Sequence, residues 1–366
     1  MKNIIEYIKD KSYYLLGGIV VVIILLIIIN ACSNSSGSYD KIEQKMVSAA
    51  KNYYASHEKN LPKEENGTVK VTINTLIEAE LLKEVKDPNN KDQDCSGYVE
   101  VTKIGKEYSY TPFLVCKGNY EPKYLTDIVK ESKQDEYGNG VYEMGGEYVY
   151  RGDDVKNYVS FNNQLWRIVK VDSEGDIKLV LANYTKDSYA WDDAYNEDKK
   201  NSVGITTDYL HTSIRKKLND YYKNNFSKDS KSKMVSKDLC VGKYDVDDET
   251  TDVFSVEKEC SITKENEKVG LLNASDYKNA SLSETCSEVK SLGCENRNYL
   301  SNSDEFNTWL LNSSSKSTYE VLYLDESVNV TIASRSKKLN YVIYISNKIM
   351  ILNGNGSYSK PYLIKW

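Results

Sequence analysis

The sequence predicts an α+β protein. It would comprise an N-terminal transmembrane helix, a small pilin-like α+β domain, and a larger α+β domain of short antiparallel strands with one or two helices. Three observations carry this. Tyr13 to Ile29 reads YYLLGGIVVVIILLIII, without a charge or a proline. Residues 39–120 pass from apolar positions at helical spacing to apolar positions in strict alternation. From residue 146 onward, short runs of β-branched and aromatic residues recur between Gly, Asn and Asp turns.

The apolar run comes first. At about 1.5 Å per residue it makes a helix of about 26 Å, and Asn30 to Cys32 extend it toward the ~30 Å hydrocarbon core. Lys2, Lys9 and Lys11 precede it, and no Lys or Arg follows before Lys41. The positive-inside bias then predicts a single-pass protein of the cell membrane. Residues 1–12 form a cytoplasmic tail, 13–32 a signal anchor in the bilayer, and the bulk is extracellular. Cys32 opens a second reading. Ile29-Asn30-Ala31-Cys32 resembles a lipobox, where bacterial lipoproteins are cut and the new terminal Cys acylated. Asn30 departs from that motif, and the run exceeds the roughly 7–15 residues of a signal-peptide core. Either tether leads into Ser33 to Ser38 (SNSSGS), a flexible spacer.

A chain of 366 residues carries a two-domain prior, and 40% hydrophobic with 28% charged residues is a globular balance. A net charge of −6 gives no footing for a nucleic-acid partner. The 31 Tyr against five Phe point to cores and half-exposed sheets in which Tyr stands in for Phe. Beyond Cys32, six cysteines fall in local pairs: Cys95 with Cys116, Cys240 with Cys260, Cys286 with Cys294. An even count in an exported region predicts disulfides, and neighbour pairing is the simplest connectivity. A loop of about 20 residues closed this way is worth roughly 3 kcal/mol. No CxxC occurs, and His57 and His211 are the only histidines. No metal site and no cofactor are expected.

In the first outer domain, about 39–120, Ile42, Met46, Ala49, Ala50 and Tyr53 mark a helix over Tyr39 to His57. Pro62 and Gly67 end it. Val69 to Ile73 alternates like a strand, and Asn74 is the expected cap of a helix over Thr75 to Lys83. A turn at Asp87 to Asn90 precedes a hairpin, Tyr98 to Thr102 and Tyr108 to Val115, around Gly105. Residues 121–145 are charged and polar and approach Gly145-Gly146; Leu125, Ile128 and Val129 allow one helical turn, and the rest reads as a hinge-like linker.

The second outer domain spans 146–366. Strands are expected at Glu147–Tyr150, Tyr158–Phe161, Leu165–Val171 and Ile177–Leu181. Thr206-Thr207-Asp208 is placed to cap a helix over Tyr209 to Tyr222. Further strand candidates are Val269–Leu272, Trp309–Leu311, Val321–Leu324, Val328–Ala333 and Tyr341–Ser346. The NGNGSYSKPY turn leads into a last strand from Tyr362 to Trp366.

Two resemblances bear on this layout. Membrane helix, amphipathic helix and small disulfide-bearing sheet, in that order, resemble type IV pilin-like proteins. LIEAELLKEVKDP and CSGYVEVTK are similar to the matching region of pilin-like surface proteins of low-GC Gram-positive bacteria. A prepilin has a Gly cleavage site followed closely by a Glu. Here Gly17 and Gly18 lie inside the run with no acid after them there. The resemblance therefore implies architecture rather than filament assembly.

Five ordered blocks carry the second resemblance: YVYRGDDVKNYVSFNNQLWRIVKV, HTSIRKKLNDYY, VGLLNASDY, NTWLLN and NYVIYISNKIMILNGNGSYSKPYLI. They resemble an uncharacterised domain of exported proteins from low-GC Gram-positive bacteria. That domain is similar in fold to C-type-lectin-like domains, which implies a tryptophan-rich core and local disulfides. Lys217 stands where such relatives have Trp, Asn340-Tyr341 replaces Arg-Pro, and Asn355 replaces Asp.

Trp166 is expected in the core, with Arg167 on the opposite face in solvent or an ion pair. Interior packing is the default for Trp. Trp191, in the polar stretch WDDAYNED, is nonetheless the candidate for a contact to a sugar or peptide. Asp245, Asp247, Asp248, Glu249 and Asp252 lack the Gly and late Glu of a calcium loop and read as a solvated loop. No GxSxG, HExxH or Walker pattern appears, and neither histidine has a nucleophile motif beside it, so no catalytic residue is nominated. These features predict a membrane-anchored extracellular protein, non-enzymatic, binding a glycan or protein ligand. The alternatives are a structural component of a pilus-like or secretion assembly, and a cell-wall-acting enzyme.

Overall fold

The helical stripe at the start of the first outer domain forms as expected. In the computed structural model, residues 39–56 are α-helical (α1). The structure describes residues 39–64, 67–104, 106–193, 208–245, 255–283, 297–301, 307–325 and 327–364. The predicted tail, anchor and Cys32, and the Cys286 and Cys294 pair, lie outside them. Among the described residues no helix is long and apolar enough to cross a membrane. The fold is α+β with mainly short antiparallel strands, in two compact units that meet at Pro122/Lys123.

In the first unit, Tyr39, Met46, Ala49, Ala50 and Tyr54 of α1 are buried. Tyr39 stacks on Tyr120 at 4.3 Å and donates to the buried Asp87 at 2.8 Å. An antiparallel sheet runs Thr68–Thr72, Ser96–Ile104, Glu107–Val115. Cys95 and Cys116 flank the Ser96↔Val115 pair and are bonded to each other.

The next helix, α2, is Ile73–Glu78, shorter and earlier than expected. Thr72 caps it in place of Asn74, its hydroxyl accepting the Thr75 N–H at 3.1 Å. Glu80, at φ 58, takes the left-handed position after the helix. Leu81 and Glu80 then donate to the carbonyls of Leu76 and Ile77, a closure that stops the helix before Lys83.

The second unit begins where a linker was expected. Lys123–Tyr124 pairs antiparallel with Met350–Asn353. Helix α3, Leu125–Glu131, buries Leu125 and Val129 in the main core. Gly140–Met144 pairs with Glu147–Arg151 across Gly145-Gly146, whose φ values of 58° and 82° suit a two-residue hairpin turn. The helical turn expected at Leu125, Ile128 and Val129 is α3, and the rest of 123–145 is corrected from hinge to structural part of this unit.

Its 11-stranded sheet runs Met234–Val235, Val342–Ile345, Ile177–Leu181, Gln164–Val171, Tyr158–Phe161, Tyr362–Ile364, Met350–Asn353, Lys123–Tyr124, with three strands off this path. Pairing is antiparallel except between Tyr362–Ile364 and Tyr158–Phe161. A four-stranded sheet adds Lys243–Tyr244, Thr308–Ser314, Glu320–Leu324 and Val328–Ile332.

The expected helix over Tyr209 to Tyr222 is two elements. Tyr209–His211 is a short 3-10 turn, and α4 is Ser213–Asn225. Thr212 separates them with an extended backbone and caps α4 in place of Asp208. Three short helices follow: α5 (Lys228–Lys233), α6 (Val256–Glu259) and α7 (Ala274–Ala280). The Cys240–Cys260 disulfide is formed beside α6.

Candidate functional site

Sheet register gathers the second unit's most distinctive polar residues. Lys170 pairs with Lys178 across one strand boundary, and Lys178 with Tyr344 across the next. Directly paired residues project from the same face, so two lysines and a tyrosine stand in a row. Each ammonium meets a carboxylate. Lys170 Nζ lies 2.7 Å from Glu147 and Lys178 Nζ 2.5 Å from Asp276. The Lys178 and Asp276 side chains are 5% and 3% exposed, so this ion pair is buried.

Lys237 closes one wall. Its Nζ reaches Asp172, Glu174 and Asp176 of the Asp172-to-Asp176 turn at 2.9, 2.5 and 2.7 Å. Burial opposes the charge on Lys237, but the hydrogen bonds from Asp176, Glu174 and Asp172 outweigh it and hold the lysine's pKa above its ordinary value. The same contact draws Glu174 below the usual carboxylate value. Tyr344 lies between two cations, its ring centre 5.7 Å from Lys178 Nζ and 5.7 Å from Lys237 Nζ. Burial raises its hydroxyl pKa.

The opposite wall is the start of α7, where three side chains satisfy successive N–H groups. Asn273 N donates to Asp276 at 2.8 Å, Ala274 N to Asn312 at 3.1 Å, and Ser275 N to Glu259 at 2.8 Å. The Ser275 hydroxyl also donates to Glu259. Asn273 further donates to the Cys240 carbonyl at 2.8 Å, tying this wall to the disulfide. Burial, with Asp276 adding to it, pushes the Glu259 carboxyl up to about 7.

Most of these groups line an open cleft of about 450 Å³. A second hollow, of about 320 Å³, shares Asp172, Ser173 and Glu174 with it and adds Tyr124, Lys130 and Lys348. Among the described residues no group of three or more His, Cys, Asp or Glu is placed to hold a metal ion. The Asp172, Glu174 and Asp176 carboxylates hold an ammonium instead.

Known proteins add nothing to this geometry. No family model matches the chain, and neither curated proteins nor solved structures give a match.

The cleft is absent from the sequence-level candidates. Its one local signal is Lys178, a lysine inside the apolar run IKLVL, and that signal does not identify its partner. Of the residues nominated from sequence, the Cys240–Cys260 disulfide lines the cleft, and the candidate ligand contact lies elsewhere. Trp191 is corrected from a ligand contact to a core residue. It is 1% exposed and packs edge-on against Trp309 at 6.1 Å and against Tyr209 at 6.4 Å. Trp166 is fully buried, as expected. Arg167 is half-buried. Its Nε donates to Asn157 at 2.9 Å, and its guanidinium lies 4.5 Å from both the Tyr158 and Tyr299 rings.

Asp245 pairs with Lys316 at 2.9 Å, while Asp247, Asp248, Glu249 and Asp252 lie outside the described residues. His57 stacks on Tyr53 at 4.2 Å, and His211 contacts Asp208 at 2.9 Å. Of the departures from the resembled family, Lys217, Tyr341 and Asn355 have local partners, whereas the buried Asn340 Oδ1 accepts no hydrogen bond from the described residues. Lys217 lies 4.1 Å from the Tyr189 ring centre, and Tyr341 stacks on Tyr221 at 3.6 Å. Asn355 accepts from the Ser357 N–H and hydroxyl in the terminal turn.

Proposed function

We propose that this chain is a membrane-tethered surface protein whose second unit binds a polar ligand, a glycan or a peptide, in the Lys178–Asp276 cleft. The reading is non-enzymatic and requires no cofactor. The predicted anchor at 13–32 supplies the tether and leaves the amino terminus in the cytoplasm. The resemblance to an exported-protein domain of C-type-lectin-like appearance supports extracellular binding.

One observation carries the binding role: the cleft's lysines are already neutralised by carboxylates of the same chain. Groups fixed in this way present oriented donors and acceptors at little reorganisation cost, which favours recognition over proton transfer. The lining carries six carboxyl groups, Glu147, Asp172, Glu174, Asp238, Glu259 and Asp276, against three lysines. That excess favours ligands bearing an amine.

The full-length protein in detergent, applied to glycan and peptide arrays, is expected to give saturable hits enriched in amino sugars or lysine-bearing peptides. Silence on both arrays, with capture of pilus or secretion components by the same protein, would favour the structural-component reading.

A further inference from the structure

The first unit carries a groove of about 900 Å³ between α1 and the segment after α2. Its floor is apolar, with Ile42 half-buried, Leu82 half-buried and Val85 buried; Leu81 at its edge is 37% exposed. Four lysines line it, Lys41 and Lys45 from α1, Lys83 and Lys86 from the other side, against Glu84 as the one acidic lining residue. Lys86 pairs with Asp94, so Lys41, Lys45 and Lys83 supply most of the positive field.

We propose that this groove docks the first unit on an anionic phospholipid surface, its lysines on headgroup phosphates and its apolar floor against the glycerol and upper acyl region. Two facts favour lipid as the occupant. The first is charge complementarity: an apolar strip bordered by lysines is the pattern of interfacial membrane binding. The second is the length of chain that precedes α1. The predicted anchor ends at Cys32 and α1 begins at 39. Six residues of chain reach at most about 20 Å, which on the tether reading keeps the start of α1 near the headgroups. This proposal rests on the tether reading given above.

The test uses the full-length protein in nanodiscs of phosphatidylcholine alone and of phosphatidylcholine mixed with phosphatidylglycerol, read by amide hydrogen exchange. The expected result is exchange in 81–86 slowed by about five- to tenfold on the anionic discs only, reversed by high salt and by Lys41→Glu with Lys45→Glu and Lys83→Glu. Unchanged exchange across the 96–115 hairpin shows that the variant remains folded. Incorporation with equal exchange on both lipids overturns the docking proposal alone. Failure to incorporate into either disc overturns the tether reading and this proposal with it. Protection produced by a soluble polyglutamate peptide, and not by anionic lipid, reassigns the groove to an acidic peptide and overturns the lipid assignment.

Discussion

Lys178 and Asp276 are each nearly excluded from water, so removing one strands the other as a buried charge. Lys178→Met is expected to cost the second unit about 3–5 kcal/mol, and Lys178→Met with Asp276→Asn to regain much of it. Urea unfolding of the single and double variants reads both. A double variant as unstable as the sum of the singles would show that the two residues do not act as a unit.

Glu259 gives a pH signature. Its carboxyl sits at about 7 in the folded protein against an ordinary 4.5. Between those values the folded state keeps a proton that the unfolded chain has lost, so stability falls as pH rises. The stabilisation is complete below about pH 4.5 and gone above about 7, roughly 3 kcal/mol in all. Glu259→Gln keeps an acceptor for Ser275 N–H and should remove this slope. An unchanged slope in that variant would place the titrating group elsewhere. Neither residue was legible as part of a site. The partner of Lys178 lies 98 residues away, and Glu259 sits in the polar string VEKE beside its cysteine. Nothing in either neighbourhood encodes the contact that buries it.

At the level of elements, short strands were legible because alternation and β-branched residues mark them locally; Tyr158–Phe161 and Ile177–Leu181 fall where expected. Helix ends were less so. Glu80 adopts a left-handed backbone and Thr212 an extended one, and in both cases the backbone bonding of the folded chain decides. The 121–145 stretch misled through its composition: Leu125, Val129 and Val141 are buried and Ile128 and Met144 half-buried, while its charges are exposed. Leu125→Ala is expected to cost the second unit about 2–5 kcal/mol in denaturant unfolding, where a hinge residue would cost almost nothing. Cys240→Ser with Cys260→Ser should cost roughly 3 kcal/mol and loosen the cleft wall that Asn273 ties to Cys240. An unchanged unfolding midpoint in either variant would contradict the packing described.

For the whole molecule, the α+β class and two of the local disulfides were readable from pattern and cysteine spacing. The site was not, because it is assembled from strands, a turn and helix ends between residues 147 and 344. The tether reading makes its own prediction. Protease added to intact cells should remove both outer units, and mass spectrometry of the amino terminus should find an uncleaved chain; an acylated Cys32 would replace the spanning helix with a lipid anchor. The account centres on the cleft as a ligand site. Its most direct test is the affinity of the strongest array hit for the full-length protein and for Glu147→Gln with Lys170→Met, which alters the cleft's more exposed pair and leaves Lys178–Asp276 intact. The account predicts at least about a tenfold loss of affinity with an unchanged unfolding midpoint. Equal affinity for the two proteins would contradict it.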